Sequence, residues 1–249
     1  MYFCQMTHKL TIISLFIPIF FWGCAVRNVS KLNSSSKSLN LNSQFLGEIP
    51  PEVFQNKQLK ILRLYQNKLT AIPDEIGDME NLEELYIGKN KLKSLPESLC
   101  RLKKLKILSA QYNDLESLPE NLGDLESLEQ LIINQNQLKS LPKSIGRLKK
   151  LQSIQVNFNQ LTALPASFYN CTELRFVRLG RNEITELSDA IGNLKQLKEL
   201  SLVQAGRLMW LPESLCQLRR MELLEVDRGV VVPTCLLVMQ TTRLEIRLY

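Results

Sequence analysis

A leucine recurs at a fixed interval of 23 residues through most of the chain, and this period limits the possible folds more than any other feature. The residues that open successive units are Leu59, Leu82, Leu105, Leu128, Leu151, Leu174 and Leu197. An exact period of this length is typical of repeat proteins, in which no unit can bury its apolar residues alone and each packs on its neighbours. The sequence therefore predicts an elongated array rather than one globular core.

Each unit follows the pattern L-x-x-L-x-L-x-x-N-x-L-x-x-L-P. The unit that begins at Leu82 shows it plainly, with Leu85, Ile87, Asn90, Leu92, Leu95, Pro96, Leu99 and Leu102 at the expected places. The x-x-L-x-L segment predicts a short strand at residues 2 to 6 of the unit, because apolar residues alternate there. The later i, i+3 spacing predicts 3-10 or short helix. The asparagine is expected to satisfy backbone groups as the chain leaves the strand.

The same lattice predicts where the array begins and ends. A first unit would start at Ser36, because Leu39, Leu41, Leu46, Ile49 and Val53 then fall on buried positions. Near the other end, one extra residue at Gln204–Gly206 shifts the last unit to Met221. A final strand would contain Leu244 and Ile246. We therefore expect about nine repeats plus a terminal cap strand, in a domain that spans 36–249.

This pattern resembles the 23-residue LPxxI/L subclass of leucine-rich repeats, which occurs in Ras-associated scaffold proteins and in bacterial surface proteins. The resemblance covers Ser36 to Tyr249. It implies an α/β fold: a right-handed horseshoe solenoid with a parallel concave sheet and 3-10 or short helices on the convex side. It also implies a non-enzymatic module that recognises a protein through the concave sheet. Because such folds bind many unrelated partners, the partner itself does not follow from the resemblance.

The amino terminus has the layout of an export signal. An apolar stretch, Leu10 to Gly23, follows Lys9 and is shorter than an ordinary spanning helix. Cys24 comes next, as in a bacterial lipobox, although Trp22 departs from the small residue usual there. With this motif the chain resembles the leucine-rich-repeat lipoproteins of spirochaetes. We expect a signal peptide at 1–23 and a lipidated Cys24 with a flexible linker at 24–35.

That interpretation predicts a protein of the bacterial cell envelope, lipid-anchored at the outer membrane or surface through Cys24. Two alternatives stay open for the amino terminus: a plain secretory signal, which would give a secreted protein, and an uncleaved anchor or mis-assigned start. If the signal interpretation is wrong, an intracellular scaffold of the Ras-associated type is the alternative.

Several kinds of chemistry lack the residues that they need. The single histidine, His8, lies in the expected signal, so we expect no histidine-based catalysis and no metal site. The sequence contains no nucleotide-binding glycine motif, and no cofactor is expected. Acidic and basic residues alternate along the chain, which argues against a nucleic-acid partner. The adjacent carboxylates Glu83 and Glu84 are interpreted as part of a solvated face.

The cysteines of the repeats are expected to be buried thiols that act as small apolar residues. Cys100 and Cys216 share one repeat position five units apart, roughly 25 Å by strand spacing, which is too far for a disulfide. Cys171 is also too far from Cys216. A bond between Cys216 and Cys235, across the irregular end, stays open.

The third, fifth, seventh and eighth residues of each unit should project from the concave face, because side chains alternate along a strand. Large apolar, aromatic and arginine side chains occur at these positions, and a cluster of this kind is typical of a protein interface. The candidate partner-binding residues are Ile61, Arg63, Tyr65, Tyr86, Ile107, Tyr112, Ile132, Phe158, Phe176, Arg178 and Arg181.

Two other interpretations of the concave residues stay open. Tyr65, Tyr86, Tyr112 and Phe158 could stack on sugars, so a glycan is a possible ligand. Alternatively, these residues are scattered exposed aromatics of the kind that repeat proteins tolerate.

Overall fold

A computed structural model describes residues 36–240 and 244–249. The expected signal peptide, Cys24 and linker lie outside the described residues. Within the described ranges, no helix is both long and apolar enough to cross a bilayer.

The described residues form a ten-stranded sheet in which every strand pairs with its sequence neighbours in parallel. Most strands hold only the third to fifth residues of a unit, one fewer at each end than the pattern predicts. The strands are β1 Ser38–Asn40, β2 Ile61–Arg63, β3 Glu84–Tyr86, β4 Ile107–Ser109, β5 Gln130–Ile132, β6 Ser153–Gln155, β7 Phe176–Arg178, β8 Glu199–Ser201, β9 Leu223–Val226 and β10 Glu245–Leu248. The predicted solenoid with a parallel sheet is confirmed.

Short 3-10 helices form the opposite side of each unit and connect to the next strand. They span Pro51–Gln55, Asp74–Asp78, Glu97–Arg101, Leu122–Asp124, Lys143–Arg147, Ala166–Asn170, Asp189–Asn193 and Glu213–Gln217. A proline usually stands just before the helix, as at Pro142, where φ is −64°. Its ring fixes this φ and so directs the chain into the helix. One α-helix, Thr234–Gln240, follows in the irregular last unit.

The core is a stack of equivalent apolar side chains from successive units. Leu108 pairs with Leu131 and Leu131 with Ile154 in the sheet register, and all three are fully buried. The first unit belongs to the same core, because Leu39, Leu41, Leu46, Ile49 and Val53 are also buried. The unit that begins at Ser36 therefore packs against the regular repeats.

The repeated asparagines form a ladder of hydrogen bonds between units. Asn136 donates through Nδ2 to the carbonyl oxygens of Ala110 and Ile133, each at 3.1 Å. Its Oδ1 accepts from the Leu115 N–H at 3.0 Å. One buried side chain thus satisfies three backbone groups that the strands leave unpaired, as the sequence predicts.

Ser188 replaces the usual proline in the unit that begins at Leu174, a change from which we expect a local loosening but no break, and the sheet continues without a break. Its backbone, with φ −70° and ψ 147°, matches that of the prolines. The side-chain oxygen accepts from the Ala190 N–H at 3.2 Å. The Ser188 N–H, which a proline would lack, donates to the Tyr169 hydroxyl at 3.3 Å. These bonds hold the turn, so no marked loosening is seen.

The extra residue near Gly206 is absorbed in a tight turn without loss of strand register. Glu199 in β8 pairs with Leu223 in β9, an interval of 24 residues. Gly206 has φ +146°, and a Cβ there would lie 2.1 Å from the Ile184 carbonyl oxygen. Only glycine fits this position.

A disulfide joins Cys216, in the last 3-10 helix, to Cys235, in the C-terminal α-helix, with their Cα atoms 5.8 Å apart. This settles the one pairing that the sequence leaves open. The Glu213 carboxylate lies within 4.8 Å of both sulfurs, but the thiols that a metal would require are used in the bond. Cys100 and Cys171 are free and buried, as predicted. Burial raises the pKa of Cys100 to about 12 and that of Cys171 to about 11.

Candidate functional site

The sheet register arranges most candidate residues in two rows on the concave face. The third residues align across the strands as Ile61, Glu84, Ile107, Gln130, Ser153 and Phe176. The fifth residues align as Arg63, Tyr86, Ser109, Ile132, Gln155 and Arg178. Apolar candidates therefore alternate with polar residues along each row. The register brings Ile61, Tyr86 and Ile107 onto adjacent strands, but the polar residues Gln130 and Ser153 separate Phe176 from Ile107 in their row.

The eighth residue of each of the first eight units has a left-handed backbone, which the sequence pattern did not predict. Tyr112, Phe158 and Arg181 have φ values of 57°, 56° and 53°, and Ser43, Gln66, Lys89, Gln135 and Gln204 at the same position have similar values. Their N–H groups donate to the next unit, as from Tyr112 to the Asn134 carbonyl at 2.9 Å. The inter-unit bond thus holds a conformation that bulky residues rarely adopt. It leaves Tyr112 48% and Phe158 43% exposed.

Arg63 belongs to a fixed cluster near the amino-terminal end of the face. Its guanidinium lies 3.7 Å from the Glu84 carboxylate and 5.2 Å from the centroid of the Tyr86 ring. The Tyr86 hydroxyl donates to the same carboxylate at 3.0 Å. Burial and the hydrogen bond to Glu84 raise the pKa of Tyr86. Arg63 is therefore a neutralised, positioned cation rather than a free charge.

A second charged cluster occupies the other end of the face. Arg178 lies 3.5 Å from the Glu199 carboxylate. Further along, Glu225 accepts a hydrogen bond from the Tyr249 hydroxyl at 2.9 Å and lies 3.6 Å from Arg247. Burial alone would raise the pKa of Glu225, but hydrogen bonds from Ser201 and Tyr249 and the nearby arginines lower it. Glu225 and Tyr249 are not among the candidates predicted from sequence, because they lie beyond the regular repeats.

Neutral amides fill the middle of the face between these clusters. Asn134 accepts from the Asn157 N–H, and Asn157 in turn from the Gly180 N–H, both at 2.8 Å. The Asn134 amide also donates to Gln155 at 3.3 Å. This strip adjoins the exposed rings, because the Asn134 carbonyl accepts from the Tyr112 N–H and Asn157 directly precedes Phe158. A ligand there meets hydrogen-bonding groups without net charge, flanked by aromatic surface.

The Tyr65 ring packs beside Gly88, the residue at the same repeat position in the next unit. A Cβ built on Gly88, the equivalent residue of the next unit, would lie 3.1 Å from the Tyr65 Cδ2 atom. The tyrosine ring therefore occupies the space that a side chain at Gly88 would need. The glycine in one unit thus leaves room for the ring of a candidate residue in the neighbouring unit.

Glu83 is not poised for acid–base chemistry. Its carboxylate lies between the Lys60 and Lys106 ammonium groups, the second at 2.7 Å. Hydrogen bonds from Lys106 and Lys60 lower the pKa of Glu83 to about 2. A general acid at neutral pH needs the opposite shift. The interpretation of Glu83 and Glu84 as part of a charged, solvated face agrees with this geometry.

Comparison with protein families gives a match over part of the chain. A family model described as "Leucine-rich repeat region" matches residues 51–158. No curated protein sequence matches the chain significantly.

Solved structures resemble the fold over most of the chain. A leucine-rich-repeat protein of Leptospira interrogans is 29% identical with a TM-score of 0.59; the match covers 84% of this chain and 65% of that one. An internalin of Listeria monocytogenes is 18% identical with a TM-score of 0.73; the match covers 86% and 61%, and shows the fold alone. The plant peptide hormone receptor RGFR1, solved in complex with RGF2, is 26% identical with a TM-score of 0.66; the match covers 86% and 40%.

This chain thus spans less than two thirds of each of these proteins. Its ten parallel strands and short 3-10 helices match the architecture of a leucine-rich-repeat solenoid. The chain therefore has the fold of a leucine-rich-repeat solenoid.

Proposed function

We propose that this chain is a non-enzymatic binding module that recognises a protein ligand through its concave face. The observation that carries the proposal is the exposure of Tyr112 and Phe158 on a hydrogen-bonded scaffold, in a backbone conformation unfavourable to both. Core packing gives no reason for large rings at these positions. Exposed aromatic side chains on a rigid surface lose little conformational freedom on binding and are enriched in interface hot spots.

The arrangement of the face suits an extended stretch of polypeptide. Its middle offers amides that could bond a main chain, and its ends carry the charged clusters of Arg63 with Glu84 and of Arg178 with Glu199. A structural relative, the plant receptor RGFR1, was solved in complex with RGF2 and is described as a peptide hormone receptor. That description supports a polypeptide ligand here, although the whole receptor is much longer than this chain.

The test compares two concave variants, Tyr112→Ala and Phe158→Ala, with a control on the outer side, Lys103→Ala. A partner is first captured on the immobilised chain, and its dissociation constant is then measured for each purified variant. Each concave change should weaken binding by about 2 kcal/mol, roughly 30-fold, because a desolvated ring is lost. The control should bind as the unmodified chain does. Thermal melting should be the same in all variants, since neither ring is part of the core.

Equal losses in the control and in the concave variants would place the binding surface elsewhere. A glycan array decides between ligand classes. The concave face would be a glycan-binding surface if two results are found together. Sugars would bind the unmodified chain but not Tyr112→Ala or Phe158→Ala, and neither variant would weaken the binding of a protein partner.

We further propose that the chain is exported and held at the bacterial envelope by lipid on Cys24. The apolar run that ends at Gly23, directly before Cys24, supports this. The bond between Cys216 and Cys235 also favours an oxidising compartment, because disulfides are rare in the reducing cytosol. Mass spectrometry of the mature amino terminus should find diacylglycerol on Cys24. A Cys24→Ser variant that partitions into detergent and migrates on gels as the unmodified chain does would contradict lipidation.

A further inference from the structure

The two edges of the solenoid carry opposite charge. One edge of the solenoid consists of the segments that connect the 3-10 helices to strands β6 to β9, residues 147–152, 170–175, 193–198 and 217–222. These segments contain eight cations and two carboxylates, a net charge of +6. We name them the basic edge; its cations are Arg147, Lys149, Lys150, Arg175, Lys195, Lys198, Arg219 and Arg220. The preceding units of the same edge carry six of each sign. The opposite edge holds the tenth to seventeenth residues of the first eight units, where the chain returns from the strands, and has twelve carboxylates and six cations.

Most cations of the basic edge lack an acidic partner. Arg147 pairs with Asp124 at 2.8 Å and Lys198 with Glu222 at 2.7 Å. The ion pairs of the described residues include none of the other six cations. Some of these bond to neutral oxygens, as Lys195 does to the Gln217 side chain at 2.8 Å. In the preceding units, by contrast, the Glu83 carboxylate forms ion pairs with both Lys60 and Lys106. The basic edge therefore keeps an uncompensated positive field.

The remaining composition of this edge is polar. None of the exposed large hydrophobic residues of the described chain lies on it; the nearest groups between the cations include Thr172, Asn193, Gln196 and Gln217. A bilayer-binding surface usually adds aromatic or aliphatic side chains to its cations. Hydroxyl and amide groups instead suit a hydrated polymer that bears its own hydroxyls.

We propose that the basic edge binds an acidic polysaccharide, a linear sugar chain with sulfate or carboxylate groups. Its cations come from four successive units, which strand spacing sets about 5 Å apart, so they form a strip roughly 15 Å long or more along the solenoid axis. A linear polyanion that lies along the strip can contact cations from successive units, because each of the four units contributes at least one. This site is separate from the concave face, so the chain could hold a protein and a polysaccharide at once.

The probe is a fluorescent heparin decasaccharide, added to the full chain, with binding followed by polarisation at several salt concentrations. The edge variant combines Lys150→Gln, Arg175→Gln, Arg219→Gln and Arg220→Gln. It should bind at least about tenfold more weakly, with a shallower dependence on salt, because fewer counterions are displaced.

The matched control removes the same charge from the opposite edge, with Lys91→Gln, Lys93→Gln, Lys139→Gln and Lys143→Gln. These lysines are exposed and take part in no ion pair among the described residues. The control should bind heparin within about twofold of the unmodified chain. Both variants should melt at the same temperature as the unmodified chain, because the changed side chains are on the surface.

Three outcomes would overturn the proposal. The first is an equal loss of heparin affinity in both variants, which would mean that net charge alone attracts the polymer. The second is no binding of heparin by the unmodified chain at physiological salt. The third is binding to vesicles of phosphatidylglycerol as strong as to heparin and equally sensitive to the edge variant, which would make the edge a membrane-docking surface.

Discussion

The guanidinium carbon of Arg181 lies 4.7 Å from the centroid of the Phe158 ring, in the neighbouring unit. Both residues stand at the eighth position of their units, with φ values of 53° and 56°. The cation and the ring attract each other at this distance. The repeat thus brings together two side chains that are 23 positions apart in sequence, and holds both in an otherwise unfavourable backbone conformation.

This backbone conformation predicts that glycine at an eighth position stabilises the fold. Lys89 has φ 56° and is exposed. A left-handed non-glycine residue costs about 1–2 kcal/mol, more than the entropy that glycine adds to the unfolded chain. Lys89→Gly should therefore raise the free energy of unfolding by about 0.5–1 kcal/mol in urea titrations. Lys91→Gly, two residues on and without a positive φ, should lower it by a similar amount. Equal losses in both would contradict the strain argument.

The asparagine ladder predicts a large effect from a single buried amide. Asn136→Ala removes the partner of the Leu115 N–H and the donor to the Ala110 and Ile133 carbonyls. Buried backbone groups would lose their hydrogen bonds, at a cost of about 2–3 kcal/mol in unfolding free energy. Gln137→Ala, the exposed neighbour, should change stability by less than about 0.5 kcal/mol. A loss in Asn136→Ala as small as the control's would show that water replaces the amide.

The cluster around Glu83 predicts a defined pH dependence. Because Lys106 and Lys60 lower its pKa from 4.5 to about 2, the unfolded chain binds a proton more readily than the folded chain. The stabilising contribution is complete above pH 4.5 and disappears as the pH falls towards 2. The stability difference between the unmodified chain and Glu83→Gln should therefore shrink over this range in acid-dependent melting curves. A constant difference from pH 7 to pH 2 would contradict the pairing, as would insensitivity to 1 M salt.

The disulfide predicts local rather than global protection of the C-terminal cap. Cys216 and Cys235 are 19 positions apart, and closing a loop of this size stabilises the folded state by about 3 kcal/mol. In a solenoid the effect should stay near the bond, because each unit contacts only its neighbours. Hydrogen exchange in Thr234–Gln240 should accelerate in the double variant Cys216→Ser, Cys235→Ser, while exchange around Leu131 stays unchanged. Uniform acceleration along the whole array would contradict this picture.

The leucine at every 23rd position, together with the asparagine eight residues later, determined the array, its core and its inter-unit hydrogen bonds. These features depend on a local pattern that is the same in every unit. A residue such as Leu131 can only be buried against Leu108 and Ile154 once the pattern repeats. The concave position of Tyr86 and Ile132 followed from the same alternation along a strand.

Tertiary structure alone decided how side chains from different units combine. The left-handed backbone of Tyr112 depends on a hydrogen bond to the next unit, and the neutralisation of Arg63 depends on Glu84 in the adjacent strand. The Cys216–Cys235 bond required the path of the irregular last unit. In the linear sequence acids and bases alternate, so the basic edge becomes visible only when the coil places equivalent positions of successive units side by side.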